Sequence, residues 1–387
     1  MRLIQFLTLL FIIIILATGC KIEYHPPVES PKTGYLVVEG FINSDGGPTT
    51  ITLSHTLKIY DDSTRDIREH NALVNIEGEN NETFPLYETS NGVYTSSLLQ
   101  LNSTEKYRLR IKTQFGKEYV SDFSNYRTTP DIDSLSWTCG NDGVKIYINT
   151  HNDVVQPGFY YWKYEETWEF HSRYISTLKW VYDSHHIPVA VAYTYPDQRI
   201  DTSIYRCWKT VNSSNISVGS SEKLNKNLIY YQIMSVNPAS EKLSVLYSLN
   251  VRQYAVSKEG YAYLQKLKRN TEEIGSIFSA QPSELTGNIH CTTDPSEIAI
   301  GYVEVSQEKV KRLFVNNSEL PGWNYHMDCA TIIVANDAGE IQKNGAGLPT
   351  IPYAADAFGI HSFYDSFDPN CVDCTLRGSN VKPSFWP

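Results

Sequence analysis

The sequence is short of methionine, with 3 in 387 residues, and short of positive charge, with 33 Lys and Arg against 43 Asp and Glu. A formal net charge of -10 removes the usual electrostatic basis for binding a nucleic-acid backbone or an anionic lipid surface. Catalytic signatures are missing too. There is no H-E-x-x-H, no G-x-S-x-G, no Walker loop and no G-x-G-x-x-G after a strand. A triad built from distant residues leaves no such trace, but the expectation is a chain that is not an enzyme. Long apolar runs are scarce as well. The main one is Leu3 to Leu16, broken by Gln5 and Thr8.

That run follows Met1-Arg2 and leads through Ala17-Thr18-Gly19 to Cys20. A positive start, a short apolar core and small residues describe a secretory signal, too short to span a bilayer comfortably as a helix. The cysteine placed directly after them resembles a bacterial lipoprotein signal, cleaved before Cys20 with lipid carried on its thiol. Ala17 stands where the usual pattern has Leu. Residues 1–19 are thus expected to be the signal peptide and 20–33, with Pro26, Pro27 and Pro31, an extended tether. At about 0.8 kcal/mol per buried methylene, two or three acyl chains make a lasting membrane anchor.

Export places the other six cysteines, Cys139, Cys207, Cys291, Cys329, Cys371 and Cys374, where disulfides persist. Our expectation joins Cys139 to Cys207 and pairs the last four among themselves. Cys371-x-x-Cys374 also has the spacing of half a zinc site, which Cys291 and Cys329 would complete. In an oxidising compartment the staple is preferred, so no metal or cofactor is expected.

Aromatic residues are abundant, with 27 Tyr, 14 Phe and 7 Trp. Such residues favour pleated, half-buried surfaces, and the expected class is mainly β. Between 34 and 130, alternating stretches such as Thr50–Ser54 and Tyr107–Thr113 are separated by turns such as Asn91-Gly92. About seven short strands of this kind predict an immunoglobulin-like or transthyretin-like β-sandwich. Residues 131–387 predict a larger β-rich domain with one clear helix, capped by Ser257 and carrying Tyr261, Leu264 and Leu267. Leu228–Val236 and Leu243–Tyr254 read as a hairpin across Asn237-Pro238. The stretch after Asn344, rich in Gly and Pro, reads as a loop pinned by cysteines.

The densest aromatic segment, Gly158–Asp183, supplies the candidate ligand contacts Tyr161, Trp162, Trp168 and Trp180. Stacking on a ligand competes here with a role in the core. Tyr160, Trp162 and Tyr164 share one strand face, and Tyr161 and Lys163 share the other. Glu165 and Glu166 therefore point apart and cannot make one carboxylate pair. His185-His186 reads as a solvated loop.

Four stretches carry a family resemblance: Tyr160–Phe170 (YYWKYEETWEF), Gln281–Ile289 (QPSELTGNI), Ile300–Val305 (IGYVEV), and Cys371–Asn380 (CVDCTLRGSN) followed by Lys382–Trp386. In this order, behind a lipoprotein signal, the chain resembles the outer-membrane lipoproteins of Bacteroidota grouped as a domain of unknown function. The resemblance implies an accessory of TonB-dependent receptors in nutrient uptake. It would be non-catalytic, lipid-anchored at the outer membrane, and in contact with a small nutrient or glycan. A structural or assembly component of the envelope is the alternative, and an anchored glycan hydrolase the next.

Overall fold

A computed structural model describes residues 34–387 except 58–65, 155, 273–284, 286 and 346. The expected signal peptide, the tether, Cys20 and most of Gln281–Ile289 lie outside the described residues. Among the described residues no helix is long and apolar enough to cross a membrane.

The first body is mainly one ten-stranded sheet. Alternation builds it: Leu36 and Val38, Ile51 and Leu53, Val74 and Ile76, and Leu109 and Ile111 all turn to one buried core. The path starts at Ile289–Cys291, crosses seven strands between residues 36 and 121, and ends at Ala299–Gly301. There His290 bridges Ile298, so the two ends all but meet. The two faces expected of a sandwich are opposite walls of one curled sheet, which leaves little exposed edge. The body also draws on residues well past 130: Ala299–Gly301 lies parallel to Leu36–Gly40 in this sheet, and Val305-Ser306 lies parallel to Ile42-Asn43 in a separate two-stranded one.

The second body has two sheets around a shared core. Phe159–His171, 13 residues long, is its spine. It pairs along its length with Leu246–Ala255 on one side, and with Arg206–Asn212 and Ser217–Ser220 on the other. Glu308–Asn316 extends the sheet. The opposing sheet is formed by Ser134–Gly140, Gly143–His151 and Leu228–Val236. Trp162, Phe170, Tyr247 and Leu249 meet Ile146, Ile148 and Ile229 between them. Leu228–Val236 and Leu246–Ala255 are therefore not a hairpin. The turn Glu241–Leu243 carries the chain from one sheet to the other, and each strand buries its apolar face in the common core. The alternation is the same for either arrangement, so it does not distinguish them.

Helix α1 (Lys258–Glu272) lies where the sequence predicts it, with Ser257 Oγ accepting from Gly260 N at 2.8 Å. A shorter helix α2 (Ala338–Asn344) is an addition to the expected single helix. The segment after Asn344 is also more ordered than expected. Leu348–Asp356 and Gly359–Ser366 form a hairpin joined by Thr331–Ala335. Register shifts at Pro349/Pro352 and Pro352/Ala354 break its alternation, so its sequence pattern does not read as strand.

The cysteine pairing is corrected. Cys207 bonds Cys374, with Cα atoms 5.8 Å apart, and Cys329 bonds Cys371 at 6.1 Å. Cys139 is exposed on the edge strand of the opposing sheet, away from the core that encloses Cys207 and Cys374, while Cys291 is buried and unpaired. The CxxC cysteines thus staple two distant strands of chain, and no zinc tetrathiolate forms.

Glu169 anchors the C-terminus. Its carboxylate takes Arg206 Nε at 2.6 Å and Nη2 at 2.8 Å, and Trp386 Nε1 at 3.0 Å. Burial pushes this carboxyl up, but hydrogen bonds from His171, Arg206 and Trp386 outweigh it and hold the pKa at about 2 against 4.5. A group lowered in this way adds stability above its unfolded pKa. Glu169→Gln should cost roughly 2–3 kcal/mol at pH 7. The deficit, measured from urea midpoints, should shrink progressively as pH falls from 4.5 towards 2. Cys374→Ser removes a cross-link spanning 167 residues and should cost about 2–5 kcal/mol under oxidising conditions. Under reducing conditions the variant and the parent should unfold at the same urea concentration.

Candidate functional site

Where the near-barrel, α1 and the spine strand meet, they enclose a cavity of about 140 Å3. The first wall is the outer face of the near-barrel. Val38 turns inward, so Val37 and Glu39 turn out, and the parallel register sets Val37 beside Ile300. The second wall is α1, whose Gly260, Tyr263, Leu264 and Leu267 recur at the spacing of one helical face. The third is the face of Phe159–His171 that carries Tyr161 and Lys163. An aromatic group closes one side, with Phe41 stacked on Tyr254 at 4.6 Å and 5.7 Å from Tyr161.

Three charged groups border this mostly apolar space. Lys163 is half-buried, its ammonium 5.8 Å from the centre of the Tyr161 ring. Among the described residues it has no carboxylate at ion-pair distance. Burial lowers its pKa, and the charge of Glu39 only partly opposes that. Glu39 itself is exposed at the rim. Glu304 is buried, accepts Ser257 N at 3.1 Å and lies 3.7 Å from Arg127 Nε. Its pKa is raised by burial, offset in part by Ser257 and Arg127. Tyr302 and Tyr263 have ring centres 5.3 Å apart, and burial pushes Tyr263 to about 12. The phenols are therefore neutral donors at physiological pH.

This set of groups suits binding. No Ser, Cys or His borders the cavity among the described residues. Nor do the described residues contain a group of three or more His, Cys, Asp or Glu able to hold a metal.

The four candidate aromatics are not brought together. Tyr161 forms a cavity wall. Trp162 faces the opposite way and is wholly buried, its Nε1 donating to Gln253 Oε1 at 2.7 Å and its ring 5.1 Å from Tyr231. Trp168 is buried on that same core side, beneath Lys242 at 5.4 Å. Trp180 lies in a separate small cluster, edge-on to Phe363, with Nε1 donating to Gly347 O at 3.2 Å. Trp162 and Trp168 are thus corrected from ligand contacts to core, because the even-numbered face of the spine meets the opposing sheet. Glu165 and Glu166 do point apart. Glu166 holds Lys242 Nζ at 2.7 Å and Tyr247 Oη at 2.7 Å, while Glu165 lies 3.9 Å from Arg312. His185 and His186 form the turn between Leu178–Tyr182 and Pro188–Tyr193.

Lys163, Glu39, Leu267 and Glu304 were not singled out as site residues from sequence. Two signals pointed towards them: Lys163 shares a face with Tyr161, and the stretch Ile300–Val305 supplies Ile300, Tyr302 and Glu304.

Gly260 is constrained by this geometry. A Cβ there would lie 2.4 Å from Glu304 Oε2. Gly260→Ala should lose about 1–2 kcal/mol of stability, although Ala is favoured over Gly within a helix by roughly 1 kcal/mol. A gain in the urea midpoint would show that Glu304 moves aside freely.

Comparison with known proteins places the chain without assigning an activity. No curated protein matches it. A crystal structure of a DUF4785 family protein from Legionella pneumophila aligns at 9% identity over 57% of this chain, with a TM-score of 0.20. The chain spans about half of that protein, 52% of its length. A family model, by contrast, covers most of this sequence, residues 21–312. The chain belongs to the family described as Domain of unknown function (DUF4249).

Proposed function

We propose that this protein is a lipid-anchored, non-catalytic binding accessory of the bacterial outer membrane. It docks beside a TonB-dependent transporter and holds a small ligand in the cavity between the near-barrel, α1 and the spine strand. The observation that carries the location is the run from Met1 to Cys20, with its apolar core and small residues before a cysteine. The observation that favours binding over catalysis is the cavity lining, which joins an apolar helix face to one lysine and two carboxylates and, among the described residues, offers no Ser, Cys or His. An acidic chain with such an anchor would reach the membrane through its acyl chains, leaving the folded body free to meet a partner.

The test is gentle detergent extraction of the full-length chain from its native outer membrane, with identification of what co-purifies. A TonB-dependent barrel should be recovered in near-equal amount. Recovery of the chain alone, or with envelope-assembly proteins, would overturn the accessory role. Cys20→Ala should move the chain from the membrane to the soluble fraction, and a variant that stays membrane-bound would overturn the anchor.

A further inference from the structure

We propose that the cavity takes a small amphiphilic monocarboxylate, its apolar body against Leu264, Leu267 and Ile300 and its carboxylate against the Lys163 ammonium. This rests on the reading above that the cavity is the protein's binding site.

Size sets the first limit. At about 140 Å3 the space matches a cavity of roughly 150 Å3 that accepts a benzene ring. One ring or a short alkyl chain fills it, and a multi-ring glycan would leave most of its length outside. The walls set the second limit. Leu264 and Leu267 on α1 and Val37 and Ile300 on the near-barrel make an apolar stretch of wall against which a sugar's hydroxyls would lose water.

Charge sets the third. Lys163 is half-buried with no carboxylate at ion-pair distance among the described residues. A desolvated ammonium of this kind gains more from an incoming anion than a solvated surface lysine does. The two acidic groups do not compete for that role. Glu304 is engaged by Ser257 N at the start of α1 and by the nearby Arg127, and Glu39 is exposed at the rim, where water solvates it. The phenols of Tyr161, Tyr263 and Tyr302 add donors but no fixed charge. An amine would instead meet the like charge of Lys163 across an apolar space. The carboxylate is the head group this arrangement favours.

The experiment is calorimetric titration of the full-length chain in lipid nanodiscs, with empty nanodiscs subtracted, using octanoate, octan-1-ol and octylamine. Octanoate should bind saturably at one site, at least tenfold tighter than octan-1-ol, and octylamine should not bind. Lys163→Met should abolish the preference for octanoate over octan-1-ol, and Lys163→Arg should restore most of it. Because Lys163→Met removes a desolvated charge, its urea midpoint should equal or exceed that of the parent, which separates a binding loss from a folding loss. Leu267→Trp should fill the space and remove octanoate and octan-1-ol together. Absence of saturable octanoate binding, equal affinity for octylamine, or a preference unchanged in Lys163→Met would overturn the proposal. Recovery of a transporter barrel in the extraction experiment reports on the accessory role independently. Failure of octanoate with the barrel present would remove only the ligand class.

Discussion

Both faces of Phe159–His171 are covered, and this constraint governs the second body. Its even positions, Tyr160 through Phe170, meet the opposing sheet. Its odd positions meet α1 at one end, through Tyr161, and the C-terminal Trp386 at the other, through Glu169. A strand hydrogen-bonded on both edges and buried on both faces has no register freedom, because a slip of one residue would exchange the two sets of side chains. Glu166 and Glu169 show the consequence. Each is a carboxylate within largely buried structure, and each is matched by cations and hydrogen-bond donors from other elements. Unmatched, either would cost several kcal/mol.

The cavity arises where this rigidity meets the near-barrel. Curling the first sheet turns Leu36 and Val38 inward, which obliges Val37 and Glu39 to face outward toward the second body. The seam therefore joins the outer face of one sheet to the odd face of another, with α1 laid across them. Side chains chosen for two different surfaces do not interdigitate fully, and the space left is lined by both. Tyr161 and Lys163 are the spine residues that fall there. The neighbours of Lys163 on the same face, Tyr161 and Glu165, are engaged by rings and by Arg312 respectively.

Periodicity and end signals were legible in the sequence. The mainly β class followed from aromatic content and alternation, the position of α1 from Ser257 and its apolar spacing, and the opposition of Glu165 and Glu166 from the pleat. The hairpin at Leu348–Ser366 was not legible, because proline-linked bulges destroy the alternation that announces a strand. The site was visible only in part. Tyr161 was picked from an aromatic-rich run whose other members, Trp162 and Trp168, have the same chemistry and opposite surroundings.

By itself the sequence determined which residues share a face, where one helix begins, and that no motif of known catalysis is present. Tertiary structure alone decided which faces meet. Period two reports that a side chain is buried, but not by what. One partner of Leu36–Gly40 lies some 260 residues away at Ala299–Gly301, and the partner of Cys207 is 167 residues away at Cys374 rather than at Cys139. Such pairings depend on how whole sheets close and stack, so the cavity formed by three segments distant in sequence becomes visible only once those sheets are in place.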